Sequence, residues 1–324
     1  LPDGVSPSRV GKIPRAHWRS SHVRAVVEEN LPGQRDGRGA GWNRPRAGVA
    51  RVARSVETGI GIKNRREGLW GRRHTGAARR HDEGYLRYGH PFKHAGIYTP
   101  EYQPDLDFED HYWEESRGMG FSYGYNREED AWDYNSTQSL ILQLIDKVSR
   151  GGNFLLDIGP DEHGKIPPIM QDRLLQMGEW LKLNGESIYN TRRWKTTSQW
   201  SAGRRDYSDR HGDMLLKITV DPDPGYAVKE VFYSYNPTSN NLYAILPRYA
   251  QDRKVILQDI QLPAGTKLDL LSTGQSLNWK QSGKNVEVRL PEYNPSVMKA
   301  PWAWAIRIRN YGAFAAKPLI QAAY

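Results

Sequence analysis

Residue usage changes abruptly near position 85, and that change limits what the chain can build. Residues 1–80 contain neither Tyr nor Phe, although the 324-residue chain has 18 and 6 of them. Gly, Ala, Arg and Pro fill 41 of those 80 positions, and no window sustains a period of 2 or 3.6. Hydrophobic periodicity is the primary signal for strands and amphipathic helices, so neither is read there. The charge divides at the same place. Residues 1–80 carry sixteen Arg and two Lys against six acids, a balance of +12, whereas residues 81–324 balance at −3. The overall +9 belongs to the first quarter alone.

Residues 1–84 admit three readings. A basic arm could contact nucleic acid, although it lacks dense Lys/Arg blocks and interleaved aromatics. A poorly patterned domain is the second. The favoured reading is an out-of-frame or disordered segment, because these four residue types have GC-rich codons.

The length suits two domains or one large one. With 38% hydrophobic residues and eleven Trp there is enough apolar material for a core. No stretch approaches the roughly 20 apolar residues of a membrane span, so no membrane partner is expected. The first residues show no apolar h-region, so no signal peptide is read. Cysteine is absent, which excludes disulfides, zinc–thiolate sites and a thiol nucleophile.

From Arg87 onward the pattern is clear. Apolar residues at Leu140, Ile141, Leu144, Ile145 and Val148 predict a helix over Ser139 to Arg150, ended by Gly151-Gly152. Asn153 to Ile158 reads as a buried strand, and about Ile169 to Asn184 as a second helix with Gly185 at its C-cap. Strand, loop and helix in alternation suggest the last units of an α/β barrel over 85–193. After about Trp194 the pattern becomes short strands. The candidates are Met214–Val220, Glu230–Tyr235, Leu242–Leu246, Lys254–Gln258, Lys267–Leu271, Val286–Leu290 and Trp302–Ile308, with Gly283-Lys284-Asn285 as a turn. The expected fold is α/β, a partial (β/α)8-type barrel followed by an antiparallel β-sandwich over 194–324.

Carboxylates and aromatics concentrate between Arg87 and Thr191. The run includes Tyr98-Thr99-Pro100-Glu101-Tyr102, Trp113-Glu114-Glu115 and Phe121-Ser122-Tyr123-Gly124-Tyr125. Cleaving a glycosidic bond needs two carboxyl groups facing one sugar, and aromatic faces pack on the apolar side of the ring.

Six ordered blocks carry a family resemblance: Arg87-Tyr88-Gly89, Tyr98-Thr99-Pro100-Glu101, Trp113-Glu114, Gly124-Tyr125-Asn126-Arg127, Ser149 to Pro160, and Gly185-Glu186-Ser187-Ile188-Tyr189-Asn190-Thr191. Residues 87–191 resemble the α-L-fucosidases of glycoside hydrolase family 29, and the β-rich tail is similar to their C-terminal domain. The resemblance implies a retaining exo-glycosidase that hydrolyses terminal α-L-fucose from glycoconjugates or oligosaccharides. It implies a fucosylated glycan as substrate and no metal or organic cofactor. Members are commonly secreted, periplasmic or lysosomal.

By that resemblance Glu101 aligns with the acid/base glutamate of bacterial members, a role that needs a raised pKa. Glu114 is the rival, because other members use the glutamate of the Trp-Glu pair. Arg87 matches an arginine near the catalytic centre, and Tyr123 an aromatic lining the pocket beside the fucose methyl. Trp113 and Arg117 are further candidates for substrate contact. His90, His94 and His111 match no strong metal-ligand spacing and read as loop residues.

The match stops short at one essential point. The resemblance expects a nucleophilic Asp roughly thirty residues before Arg87, as a second carboxylate. No Asp occurs between Asp36 and Asp82, and Tyr85-Leu86 stands where the family has Asn-Asp. A parallel barrel closes only when all its strands are present. The barrel half is therefore expected to fold poorly, and the polypeptide as written to show little or no turnover. A carbohydrate-binding remnant and a basic nucleic-acid-binding protein remain as alternatives.

Overall fold

The computed structural model describes residues 113–207 and 214–311, together with Tyr102 and the backbone of Val23–Val27. Arg87, His90, His94, Glu101 and His111 lie outside the described residues.

Two parallel strands and two helices form the first layer. Strand β1 (Val23–Val27) precedes β2 (Glu114–Gly118), helix α1 (Thr137–Ser149), β3 (Asn153–Ile158) and helix α2 (Pro168–Asn184). β3 is central, flanked by β1 and β2 in a parallel three-stranded sheet. Phe154 to Ile158 are all buried, as expected of a parallel strand covered on both faces. The strand at Val23–Val27 was not read from the sequence, because four apolar residues around Arg24 are too short a run to show a period.

Each helix has a local cause. Ser136 caps α1, its Oγ accepting from the Ser139 amide at 3.1 Å, a contact that stabilises a helix by about 1 kcal/mol. The helix thus begins two residues before the apolar stripe. It ends at Gly151, whose φ of +87° suits a residue without a Cβ. α2 opens with Pro168, whose missing N–H costs nothing in a first turn. Its C-cap is Gly185, as expected, but in right-handed backbone (φ −61°) that runs on into a 3₁₀ turn, Gly185–Ser187. A Cβ at Gly185 would lie 2.7 Å from the Tyr189 ring.

The remainder is one antiparallel sheet of eight strands: β4 (Ser198–Trp200), β5 (Lys229–Asn236), β6 (Asn241–Leu246), β7 (Lys254–Leu257), β8 (Leu268–Leu270), β9 (Gln275–Ser282), β10 (Asn285–Arg289) and β11 (Trp304–Ile308). They lie in the order β4-β5-β6-β11-β8-β9-β10-β7. The sheet curls so that its ends share one core. Val255 and Leu257 of β7 and Val286 and Val288 of β10 pack with Val231 and Tyr233 of β5 and Leu242 of β6. Gly283 and Lys284 form the two-residue β9–β10 turn, with φ +59° at Gly283.

One expected strand is corrected. Met214–Val220 opens with a short helix, α3 (Met214–Lys217), and continues as a turn. Its amides bond locally, Ile218 to the Met214 carbonyl and Val220 to the Leu216 carbonyl, both at 2.9 Å. The apolar residues Leu215, Leu216, Ile218 and Val220 serve the core that contains α1, instead of alternating across a ladder. Strands β4 and β9 were missed. β9 presents a single buried residue, Leu277, so its sequence has no hydrophobic pattern to read.

The two layers share a core. Phe232, Tyr243, Ile245 and Ala305 of the antiparallel sheet join Leu140 to Val148 of α1 and Met177 and Trp180 of α2. The Trp180 indole N–H donates to the Ala303 carbonyl at 2.9 Å, and Ser234 Oγ donates to the Ser187 carbonyl at 2.6 Å. No helix among the described residues is long and apolar enough to cross a membrane.

Candidate active site

Parallel strands joined by helices place their chemistry at their C-terminal ends, where the strand-to-helix loops gather. Here those loops are 119–136 after β2 and 159–167 after β3. They are tied together by Arg127, whose Nη2 donates to Glu162 Oε1 at 2.6 Å. They also meet in backbone contact, because a Cβ at Gly159 would fall 1.9 Å from the Tyr125 amide nitrogen.

The two faces of β2 divide the polar residues. Glu115 and Arg117 point to α1. Glu115 meets Lys147 Nζ at 2.9 Å and Arg117 Nε at 3.3 Å, and Arg117 Nη1 donates to Gln143 Oε1 at 2.7 Å. Glu114, Ser116 and Gly118 share the opposite face. The Ser116 and Tyr123 hydroxyls hydrogen-bond there. The Gly118 amide donates to the Tyr102 hydroxyl at 2.9 Å, and the Tyr102 amide donates to the Ser116 carbonyl at 3.3 Å. The Tyr102 and Tyr123 rings sit edge to face, 6.5 Å apart. Tyr102 at φ +48° holds the left-handed region, which a non-glycine residue adopts at some cost.

This arrangement locates the residues singled out from the sequence. Tyr123 lies at the C-terminal end of β2. Trp113 and Glu114 lie at the other end, both buried. The Trp113 indole fills the space a Cβ would take at Gly152, 2.3 Å away, and the Arg150 guanidinium lies 5.2 Å from its ring centroid. Arg117 joins β2 to α1, with its guanidinium 5.3 Å from the Tyr102 ring centroid. The structure thus gathers Tyr123 with Tyr102, a residue the sequence reading passed over, and separates both from Trp113.

Asp157 was also passed over. It is fully buried on β3, in register with Gly118 of β2. A run of apolar residues conceals one Asp well, so only its place one residue before the strand's end marks it.

The loop after β2 is held by its own polar groups. Glu129 Oε1 accepts from the Ser122 amide at 2.5 Å. The Asn135 backbone amide and Nδ2 both donate to the Met119 carbonyl, at 3.0 and 2.9 Å. Burial, followed by the nearby Glu129 carboxylate, raises the Tyr134 hydroxyl above its ordinary pKa, which keeps it neutral and hydrogen-bonding at all physiological pH. Among the described residues no three His, Asp or Glu side chains gather as metal ligands would.

Residues 81–186 match the family model for α-L-fucosidase, and residues 226–309 match that for the α-L-fucosidase C-terminal domain. The chain belongs to the α-L-fucosidase family. Plasma α-L-fucosidase of Rattus norvegicus is 34% identical over 223 residues, spanning 67% of this chain and 43% of the relative. Tissue α-L-fucosidase of Homo sapiens is 30% identical over 225 residues, covering 66% and 41%. The Thermotoga maritima α-fucosidase described in complex with fucose superposes with a TM-score of 0.50 at 26% identity, over 69% of this chain and 46% of that one. A Thermotoga maritima α-L-fucosynthase described with α-L-Fuc-(1-2)-β-L-Fuc-N3 superposes equally, over 69% and 45%. The chain therefore spans less than half the length of these relatives.

Proposed function

We propose that this chain carries the acid/base half of a retaining α-L-fucosidase site, acting on terminal α-L-fucose of glycoconjugates or oligosaccharides. One observation carries the reading most directly. Tyr102, the covalent neighbour of Glu101, is docked on Ser116 and Gly118 at the C-terminal end of β2, edge-on to Tyr123. That is the face where barrel enzymes assemble their catalytic groups. Glu114, at the opposite end of its strand, is less suited to the acid/base role.

In this reading Glu101 protonates the glycosidic oxygen, then activates the water that releases fucose. Tyr123 lines the sugar pocket, and Arg87 holds a carboxylate or a sugar hydroxyl there. The nucleophile is the missing partner, since residues 37–81 contain no Asp. The chain as written is therefore expected to bind fucose without turning it over. Titration with L-fucose by calorimetry, alongside a chromogenic α-L-fucoside assay, tests this. Saturable fucose binding with no turnover supports the reading, whereas no binding refutes it. Turnover by the 324-residue chain would overturn the missing-nucleophile part. Resequencing codons 1–90 adds a direct check, because a Trp-x-Asp in a neighbouring frame would restore the second carboxylate.

A further inference from the structure

The β2–α1 loop carries two large exposed aromatics, and its chemistry goes beyond the fucose pocket. Trp132 is 90% exposed and Phe121 79% exposed, against a chain whose Trp113, Trp180 and Trp194 are all buried. An indole left in water forfeits burial worth roughly 2 kcal/mol, so the position needs a reason.

The backbone beneath Trp132 is fixed. Its amide donates to Asp130 Oδ1 at 2.7 Å, and the Asp130 amide donates to Asp133 Oδ2 at 2.8 Å. The Asp133 amide closes the turn on the Asp130 carbonyl at 3.1 Å. Two residues on, Asn135 clamps the loop to Met119, immediately after the end of β2. The indole is thus presented by a bonded turn on the same loop that supplies Tyr123.

Its two neighbours complete a recognisable chemistry. Asp130 and Asp133 each commit one carboxylate oxygen to the turn, and among the described residues no donor engages Asp130 Oδ2 or Asp133 Oδ1. A flat apolar face beside two free acceptor oxygens suits a pyranose, whose C–H face stacks on the indole while its hydroxyls donate to the carboxylates. A lipid or an acidic peptide would be repelled by the carboxylates.

We infer that Trp132, with Asp130 and Asp133, forms a subsite for the neutral sugar ring to which the terminal fucose is attached. The inference rests on the fucose reading above. It gives this chain its preference for oligosaccharides over free fucose. Fixing the platform in advance avoids the ordering cost that a mobile loop would carry on binding.

The test is calorimetric titration of the whole chain and its Trp132→Ala variant with L-fucose, lactose and 2′-fucosyllactose. Trp132 is exposed, so the variant should fold, and Trp132→Phe is the second variant in case it does not. Wild type should bind the trisaccharide more tightly than fucose. Trp132→Ala should weaken trisaccharide binding about tenfold and leave fucose binding unchanged, with Trp132→Phe in between. An unchanged trisaccharide affinity in Trp132→Ala, with fucose still bound, overturns the subsite and leaves the fucose pocket standing. Weaker binding of lactose by Trp132→Ala, in a wild type that binds no fucose, supports the subsite and removes the pocket. No binding of any of the three sugars by wild type overturns both.

Discussion

Lys147 of α1 and Glu115 of β2 meet at 2.9 Å with side chains 2% and 0% exposed, an ion pair taken wholly out of water. Glu115 is shared with Arg117 at 3.3 Å, so the pair joins helix, strand and the guanidinium beneath Tyr102. Removing one partner of a buried pair strands the other charge, at a cost of about 3–5 kcal/mol. Lys147→Met should therefore lose about that much stability in urea unfolding. The double variant Lys147→Met/Glu115→Leu should recover part of it, although Arg117 then loses a partner. A double variant no more stable than Lys147→Met would contradict the stranded-charge account.

Asp146, next along α1, gives a pH signature. Burial alone would raise its pKa, but Arg150 at 2.7 Å, Lys229 at 2.6 Å and Lys147 at 3.6 Å outweigh burial and hold the carboxyl far below the ordinary carboxylate range. A group whose folded pKa is depressed contributes stability that is present above its unfolded pKa, about 4, and lost as pH falls toward the folded value. Asp146→Asn should thus be less stable than wild type at pH 7, with the gap in melting temperature narrowing steadily below about pH 4. A gap that stays constant from pH 7 to pH 2 would rule the mechanism out.

These two networks explain what the sequence revealed and what it concealed. The stripe Leu140 to Val148 and the run Phe154 to Ile158 are visible because one face, or both, must be apolar over consecutive turns or residues. Asp146 and Lys147 sit inside that same stripe and look like solvated charges. Their burial depends on Lys229, 83 positions away, and on Glu115 of a strand whose Glu114-Glu115-Ser116-Arg117 reads as a loop. Likewise β9 has no hydrophobic pattern, and Met214–Val220 has one that serves a helix packing face. At the site, Tyr123 was legible from the resemblance. Arg117 and Trp113 were legible as residues but not as positions, because only the register of β2 decides which end and which face each occupies.

Gln199 makes a separable prediction for the antiparallel sheet. Its Nε2 donates to the Ile256 carbonyl at 2.8 Å, and its Oε1 accepts from the Gln258 amide at 3.0 Å and the Tyr233 hydroxyl at 3.2 Å. One carboxamide thereby joins β4 and β7, the two ends of the eight-strand order. Gln199→Ala leaves those buried groups unpaired and should cost about 1–3 kcal/mol. Gln199→Glu should cost more at pH 7, since it cannot donate and faces Glu230 at 3.4 Å, and should recover as the pH is lowered. Equal loss at pH 7 and pH 4 for the Glu variant would refute the charge component.

Two glycines predict opposite outcomes for the same substitution. At Gly159 a Cβ would meet the Tyr125 amide nitrogen at 1.9 Å and the Gly124 carbonyl carbon at 2.6 Å. Both are backbone, so no side chain can swing aside, and the loop carrying Tyr123 and Trp132 must lift off the end of β3. Gly159→Ala should lower stability by about 1–3 kcal/mol, as overpacking does. It should also weaken fucose binding, because the loop that closes over the strand ends is displaced. Gly178 lies inside α2 with nothing within 4 Å of its would-be Cβ. There Ala gains helix propensity and restricts the unfolded chain, so Gly178→Ala should stabilise by about 0.5–1 kcal/mol with fucose binding unchanged. Thermal unfolding and fucose titration of both variants check this pair, and a Gly159→Ala protein that keeps full affinity would show that the loop does not shape the sugar site.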